Sequence, residues 1–195
     1  MSTFRRTSFP LWRFVLPFLL QLAFVLIVPA QSAYTYNFGK LAVLQTAPVD
    51  PYDFLRGYSQ TLRYNISRVS DLKRLDRSKK FKPGDICYVV LELNLTKTKS
   101  PPSPSKIAKI TQEFPQDLTK SQVALKGKIE KYGHVSYGLE TYYMPESQRN
   151  KINREISDLQ RNTIGKRPFV VEIKVDRWGN SVPVSLWLEN KKYSF

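Results

Sequence analysis

Glu140 stands within Tyr137-Gly138-Leu139-Glu140-Thr141-Tyr142-Tyr143-Met144-Pro145-Glu146, a carboxylate set among aromatic rings. Taken out of water, such a group loses solvation of its charged form, which raises its pKa and suits it to general acid work. The same surroundings suit a carboxylate held by an arginine, and Arg56 or Arg63 is then the expected partner. A pair of that kind sets register and catalyses nothing. On a continuous strand Leu139 and Thr141 would share one face, with Glu140, Tyr142 and Met144 on the other. Asp53 and Arg56, in Asp50-Pro51-Tyr52-Asp53-Phe54-Leu55-Arg56-Gly57, read as a ligand-facing pair or as the closure of a proline-fixed turn. The turn is favoured, because Asp beside Pro forms turns unaided. Glu146, behind Pro145, suits the first turn of a helix, where a carboxylate complements the dipole.

Little else is arranged for chemistry. The single histidine, His134, follows Gly133 in an expected turn, and spacing assigns it no Ser or Cys partner. One histidine and one cysteine exclude an intramolecular disulfide and any dense His/Cys metal cluster. Cys87 lies in an apolar strand and reads as a small core residue. No G-x-S-x-G, H-E-x-x-H, P-loop or Gly-rich nucleotide fingerprint occurs. Ser-Lys chemistry needs only two residues, and no spacing marks which they would be. No catalytic residue, metal or cofactor is therefore assigned.

The elements that position these residues are mostly strands, since apolar residues alternate or run in short blocks. Expected strands are Lys40–Thr46, Gly57–Ser67, Ile86–Leu95, Val123–Lys131, Val135–Met144, Phe169–Val175 and Ser181–Leu188. Pro83-Gly84-Asp85 and Asp176-Arg177-Trp178-Gly179-Asn180 supply turns. Thr96 to Ser105, rich in Pro, Ser and Lys, cannot pack and belongs to a long loop, 96–121. From Pro145 the period changes: Ile152, Ile156 and Leu159 make the stripe of one short amphipathic helix, ended by Gly165 and Pro168. The expected fold is α+β and β-rich, a mostly antiparallel sheet or partly closed barrel of about seven strands.

Ahead of these strands the sequence is a membrane signal. Arg5, Arg6 and Arg13 precede a run from Phe14 to Lys40 that holds no charge between its ends. Leu11 to Ala30 meets the roughly 20 residues a membrane helix needs, with Arg13 snorkelling to the surface. A retained anchor is favoured over a cleaved signal peptide, which Ala30-Gln31-Ser32 would permit, because the apolar run outlasts the roughly 7–15 residues of a signal core. Residues 1–33 are thus a basic cytoplasmic stub and transmembrane signal anchor, and 34–195 an exported domain. The 195 residues carry a net charge of +15, and the body stays basic without the stub. That surplus favours anionic lipid or polymer. An exported chain lacking any recognisable RNA- or DNA-binding motif gives nucleic acid no place.

Two segments carry a family resemblance. Val49-Asp50-Pro51 with Leu55-Arg56-Gly57 and Leu62-Arg63-Tyr64 resembles the motif of the bacterial GDYXXLXY family, whose members look like membrane-anchored proteins of uncharacterised function. The segment Tyr137, Gly138, Leu139, Glu140 through Pro145 and Glu146 is similar to a second stretch of that family in residue type and spacing. The order of anchor, strand, motif, loop, second motif, helix and hairpin matches as well. The chain departs from the family's name: aligned on Gly57, Leu62 and Tyr64, the family Asp falls on Tyr58 and the family Tyr on Ser59. The resemblance implies motif residues Asp50, Pro51, Arg56, Gly57, Leu62, Tyr64, Tyr137, Gly138, Glu140, Pro145 and Glu146, and no activity.

The function expected is that of a single-pass envelope protein whose exported domain binds or stabilises another component. Membrane lipid and another membrane or envelope protein are its expected partners. The alternatives are an anchored hydrolase using Glu140 or a Ser-Lys pair, and an electrostatic binder of anionic lipid or polymer through the loop lysines.

Overall fold

The computed structural model describes residues 11–46, 59–61, 63–68, 81–94, 100–143, 154–155 and 169–194. It opens with α1, Trp12–Phe38, a helix long and apolar enough to cross a membrane. None of its most apolar stretch is buried against the rest of the protein. Leu16, Phe18, Leu19, Phe24, Val25 and Ile27 all face outward.

Ten strands follow among the described residues: β1 Lys40–Gln45, β2 Ser59–Thr61, β3 Ile86–Glu92, β4 Lys106–Thr111, β5 Gln122–Ile129, β6 Val135–Ser136, β7 Thr141–Tyr143, β8 Phe169–Val175, β9 Ser181–Leu188 and β10 Lys191–Ser194. They form one four-stranded sheet in the order β1-β8-β9-β10, another in the order β4-β3-β5-β6, and a small β2-β7 pair. Every pairing is antiparallel and no barrel closes, so the fold is α+β and β-rich.

Period-two alternation makes the core. Cys87, Val89 and Leu91 of β3 and Val123, Leu125 and Ile129 of β5 point inward to meet Ala42 and Leu44 of β1, Val171, Ile173 and Val175 of β8, and Leu186 and Leu188 of β9. Burying such a side chain contributes about 1.5–3 kcal/mol, and strands with one apolar face have no other way to remove it from water. Two backbone bonds and one to a side chain join the sheets at their rims. Lys126 N–H donates to Gly179 O at 3.0 Å, Ser105 N–H to Val43 O at 2.8 Å, and Val43 N–H to the Ser105 hydroxyl at 3.1 Å.

Several expectations need correction. Residues 106–111, assigned to the loop 96–121, form the edge strand β4. A bulge at Ala108, between the partners of Val90 and Leu91, brings Ile107 and Ile110 onto the core side and hides the alternation. The expected strand over 57–67 is described only at Ser59–Thr61, and Asn65–Ser67 is a short 3₁₀ turn. The strand over 135–144 breaks at Gly138, whose φ of +73° no strand accommodates. β10 went unforeseen, because Lys191-Lys192-Tyr193-Ser194 has no apolar face of its own and pairs only as an edge. Of the helix expected after Pro145, only Arg154 and Glu155 fall among the described residues, and both are helical.

On the outer face of β8, Glu172 is nearly buried, accepting from the Ser185 hydroxyl and lying 2.9 Å from Lys192 Nζ. The Trp187 indole N–H faces this carboxylate without meeting hydrogen-bond geometry. Burial pushes the carboxyl up, but the bonds from Ser185 and Lys192 and the lysine charge outweigh it and hold it below the ordinary 4.5. A depressed carboxylate stabilises the fold above its unfolded pKa and loses that contribution as pH falls through the folded one. Lys192→Met should therefore cost about 1 kcal/mol near neutrality, a difference that vanishes in melts recorded well below pH 4.5.

Candidate functional site

The two motif segments meet. β2 and β7 pair Ser59 with Tyr143 and Thr61 with Thr141, laying the first motif antiparallel to the second. Where the ladder ends, two tyrosines continue it. Tyr64, 1% exposed, donates its hydroxyl to Leu139 O at 2.8 Å. Tyr137 donates in the opposite sense to Ile66 O at 2.5 Å. Each segment thus supplies one buried hydroxyl and one carbonyl, and neither carbonyl is left unpaired in the core. A Cβ on Gly127 would lie 2.5 Å from Val135 Cγ1 and 2.9 Å from Tyr137 Cε1, so only glycine leaves room for that ring.

Glu140 serves this clasp. Its Oε1 accepts from the Tyr137 N–H at 2.6 Å and its Oε2 from the Ser136 hydroxyl at 3.3 Å, closing the turn through Gly138. The expected arginine pair is not formed with Arg63, which is exposed, and Arg56 lies outside the described residues. Nor do Leu139 and Thr141 share a face: the turn buries Leu139 and leaves Thr141 exposed. Burial, with the nearby Glu140 charge, raises the Tyr64 hydroxyl far above its ordinary value. Burial likewise raises that of Tyr137, helped by Cys87 and Glu140. Both hydroxyls are therefore fixed donors and poor acids. Cys87, opposite Gly127 in the ladder, is buried and its thiol is pushed up to about 11, which removes it as a nucleophile at neutral pH. His134 closes the β5–β6 hairpin through its carbonyl, which accepts from Glu130 N–H at 2.7 Å. Asp50, Pro51, Asp53, Arg56, Gly57, Leu62, Pro145 and Glu146 lie outside the described residues.

A second constellation joins α1 to the sheets. Asp176 opens the β8–β9 turn and is 6% exposed. Its Oδ1 accepts the N–H groups of Trp178 at 2.9 Å and Asn180 at 3.0 Å. Its Oδ2 accepts the Thr35 hydroxyl at 2.8 Å and the Asn180 amide at 3.1 Å. Thr35 sits in the last turns of α1, so a buried carboxylate ties the apolar helix to the domain. Around this bond Tyr34 packs on Trp178, ring centroids 5.3 Å apart, and Lys174 Nζ donates to the Tyr36 carbonyl. Gly39 allows the approach: a Cβ there would lie 2.5 Å from Thr35 O and 3.0 Å from Lys174 Cβ. Sequence reasoning passed over this junction. Its traces were a Thr near the end of an apolar run and an Asp opening a turn.

Beside the junction lies a cleft of about 360 Å³, lined among others by Phe38, Phe114, Leu118, Val123, Lys40, Lys120 and Arg177. The clasp residues do not line it. Among the described residues, no group of three or more His, Cys, Asp or Glu side chains could hold a metal ion.

A family model described as GDYXXLXY protein matches residues 21–186, from within α1 to within β9. No curated protein and no solved structure matches the chain.

Two outcomes follow from this geometry. A tyrosine whose folded pKa is raised stabilises the fold fully below about pH 10 and loses that contribution as pH climbs. Tyrosinate absorbance should therefore show Tyr64 and Tyr137 ionising only on alkaline unfolding, and Tyr64→Phe with Tyr137→Phe should delete that late component. Thr35→Val leaves Asp176 one donor short and should cost about 1–3 kcal/mol in thermal melts of the detergent-solubilised chain.

Proposed function

This chain belongs to the GDYXXLXY protein family, and from that premise we propose a single-pass membrane protein of the cell envelope. Its exported domain binds or stabilises another envelope component and catalyses no reaction. The supporting observation is α1 itself, whose apolar side chains face outward around the helix while its end is knotted to the domain through Thr35 and Asp176. So long an unburied apolar surface has a bilayer as its natural solvent. Trp12 starts it and Tyr34 lies one turn before its end, about 33 Å apart at 1.5 Å per residue. That spacing suits aromatic belts on either side of a hydrocarbon core about 30 Å thick.

Arg5, Arg6 and Arg13 favour a cytoplasmic N-terminus, which leaves the sheets on the exported side. The clasp supports binding over catalysis, since the acid and phenols that chemistry would use are committed to closing a turn and pairing carbonyls.

The single cysteine makes topology measurable. Cys87 is buried and raised, so it contributes little labelling background. Tyr132→Cys, at a tip residue 96% exposed, should react with a membrane-impermeant maleimide on intact cells, and Ser2→Cys only after permeabilisation. The reverse pattern, or extraction of the full chain by alkaline carbonate, overturns the anchored reading. Capture of the full chain from detergent-solubilised membranes should bring down one envelope protein in stoichiometric amount; the chain alone would refute the binding role.

A further inference from the structure

The cleft beside α1 is lined by residues of two characters. Its lining combines apolar Phe38, Phe114, Leu118 and Val123 with cationic Lys40, Lys120 and Arg177. Asp176 also lines it, but both its oxygens are taken by Thr35, Trp178 and Asn180. Two of the cations are positioned in advance. Lys40 Nζ donates to the carbonyls of Lys120 at 3.0 Å and Gln122 at 3.4 Å, leaving one of its three protons for a ligand. Arg177 lies over the Trp178 ring, 4.2 Å from its centroid, which holds the guanidinium plane. Cations held before binding lose less freedom when an anion arrives.

Height decides which anion that is. With Tyr34 and its stacked neighbour Trp178 at the edge of the hydrocarbon, Phe38 stands about 6 Å farther out along the helix, and Lys40 follows it as the first residue of β1. The polar layer of a bilayer leaflet is about 5–8 Å deep. On that placement the cleft lies at the level of the headgroups, where its cationic residues can meet a phosphate.

We propose that this cleft holds the phosphodiester headgroup of an anionic phospholipid, with Arg177, Lys120 and Lys40 around the phosphate. The assignment rests on the anchored reading above, which sets the depth of the cleft, and it narrows a general basic surplus to one site.

Native mass spectrometry of the full chain in detergent, offered phosphatidylglycerol and phosphatidylcholine in equal amounts, tests it. The chain should retain phosphatidylglycerol preferentially, and Lys120→Gln with Arg177→Gln should lower that retention at least about tenfold. Lys128→Gln with Lys131→Gln, at the far end of β5, should leave it unchanged. Equal retention by the cleft variant, or equal loss from the distal pair, overturns the proposal in favour of no site or of diffuse attraction. Displacement by millimolar glycerol 3-phosphate also overturns it, in favour of a soluble phosphoester. Should the double variant fail to fold, Lys120→Glu alone, at an exposed loop position, must still abolish the preference. Alkaline carbonate extraction of the same chains separates the two claims. Membrane retention with lost lipid preference indicts only the cleft, whereas release of the wild-type chain indicts the anchor.

Discussion

A single buried carboxylate, Asp176, holds the parts of this protein in one arrangement. Among the described residues no lysine or arginine pairs with it; its oxygens accept from the N–H groups of its own turn, the Asn180 amide and the Thr35 hydroxyl. Hydrogen bonds to a charged group contribute about 1.5–3 kcal/mol each, and here they converge from two elements far apart in sequence. The turn they shape carries Gly179, whose carbonyl accepts from Lys126 of the opposite sheet at 3.0 Å. One five-residue turn therefore fastens helix to sheet and sheet to sheet. With Gly39 pressed against β8, the chain between α1 and β1 has no slack.

The tyrosine clasp solves a different problem. Gly138 breaks the strand that the second motif would otherwise form, which leaves carbonyls without ladder partners on the inside of the fold. Tyr64 and Tyr137 reach across with hydroxyls where N–H groups cannot, and Glu140 closes the turn that makes the break. Ser59 is bound into β2 by backbone pairing with Tyr143, and a ladder bond asks nothing of the side chain. Tyr64, Tyr137 and Glu140 act through their side chains.

Much of the architecture was legible because it is written in periods. The uncharged stretch of α1, the alternation of β1, β3, β5, β8 and β9, and the turns at Pro83–Asp85 and Asp176–Asn180 are local patterns, and local sterics with one buried face suffice to produce them. The misses share one cause. β4 carries a bulge that shifts its apolar residues out of alternation, β10 is an edge that borrows its geometry from β9, and the second motif is interrupted by a glycine at positive φ. In each, the partner strand or the turn decides what the residues do, and a window along the chain does not contain the partner.

The same division holds for the candidate sites. Sequence alone marked the long apolar helix, the basic surplus and the two motifs, since composition and spacing carry that information whatever the chain does next. Folding decided that Glu140 closes a turn where an arginine pair was expected, that Thr35 meets Asp176 across 141 positions, and that Lys40, Lys120 and Arg177 surround one cleft. Those outcomes depend on distances between residues remote along the chain. Only the packing of two sheets against a common core brings them within reach of a hydrogen bond.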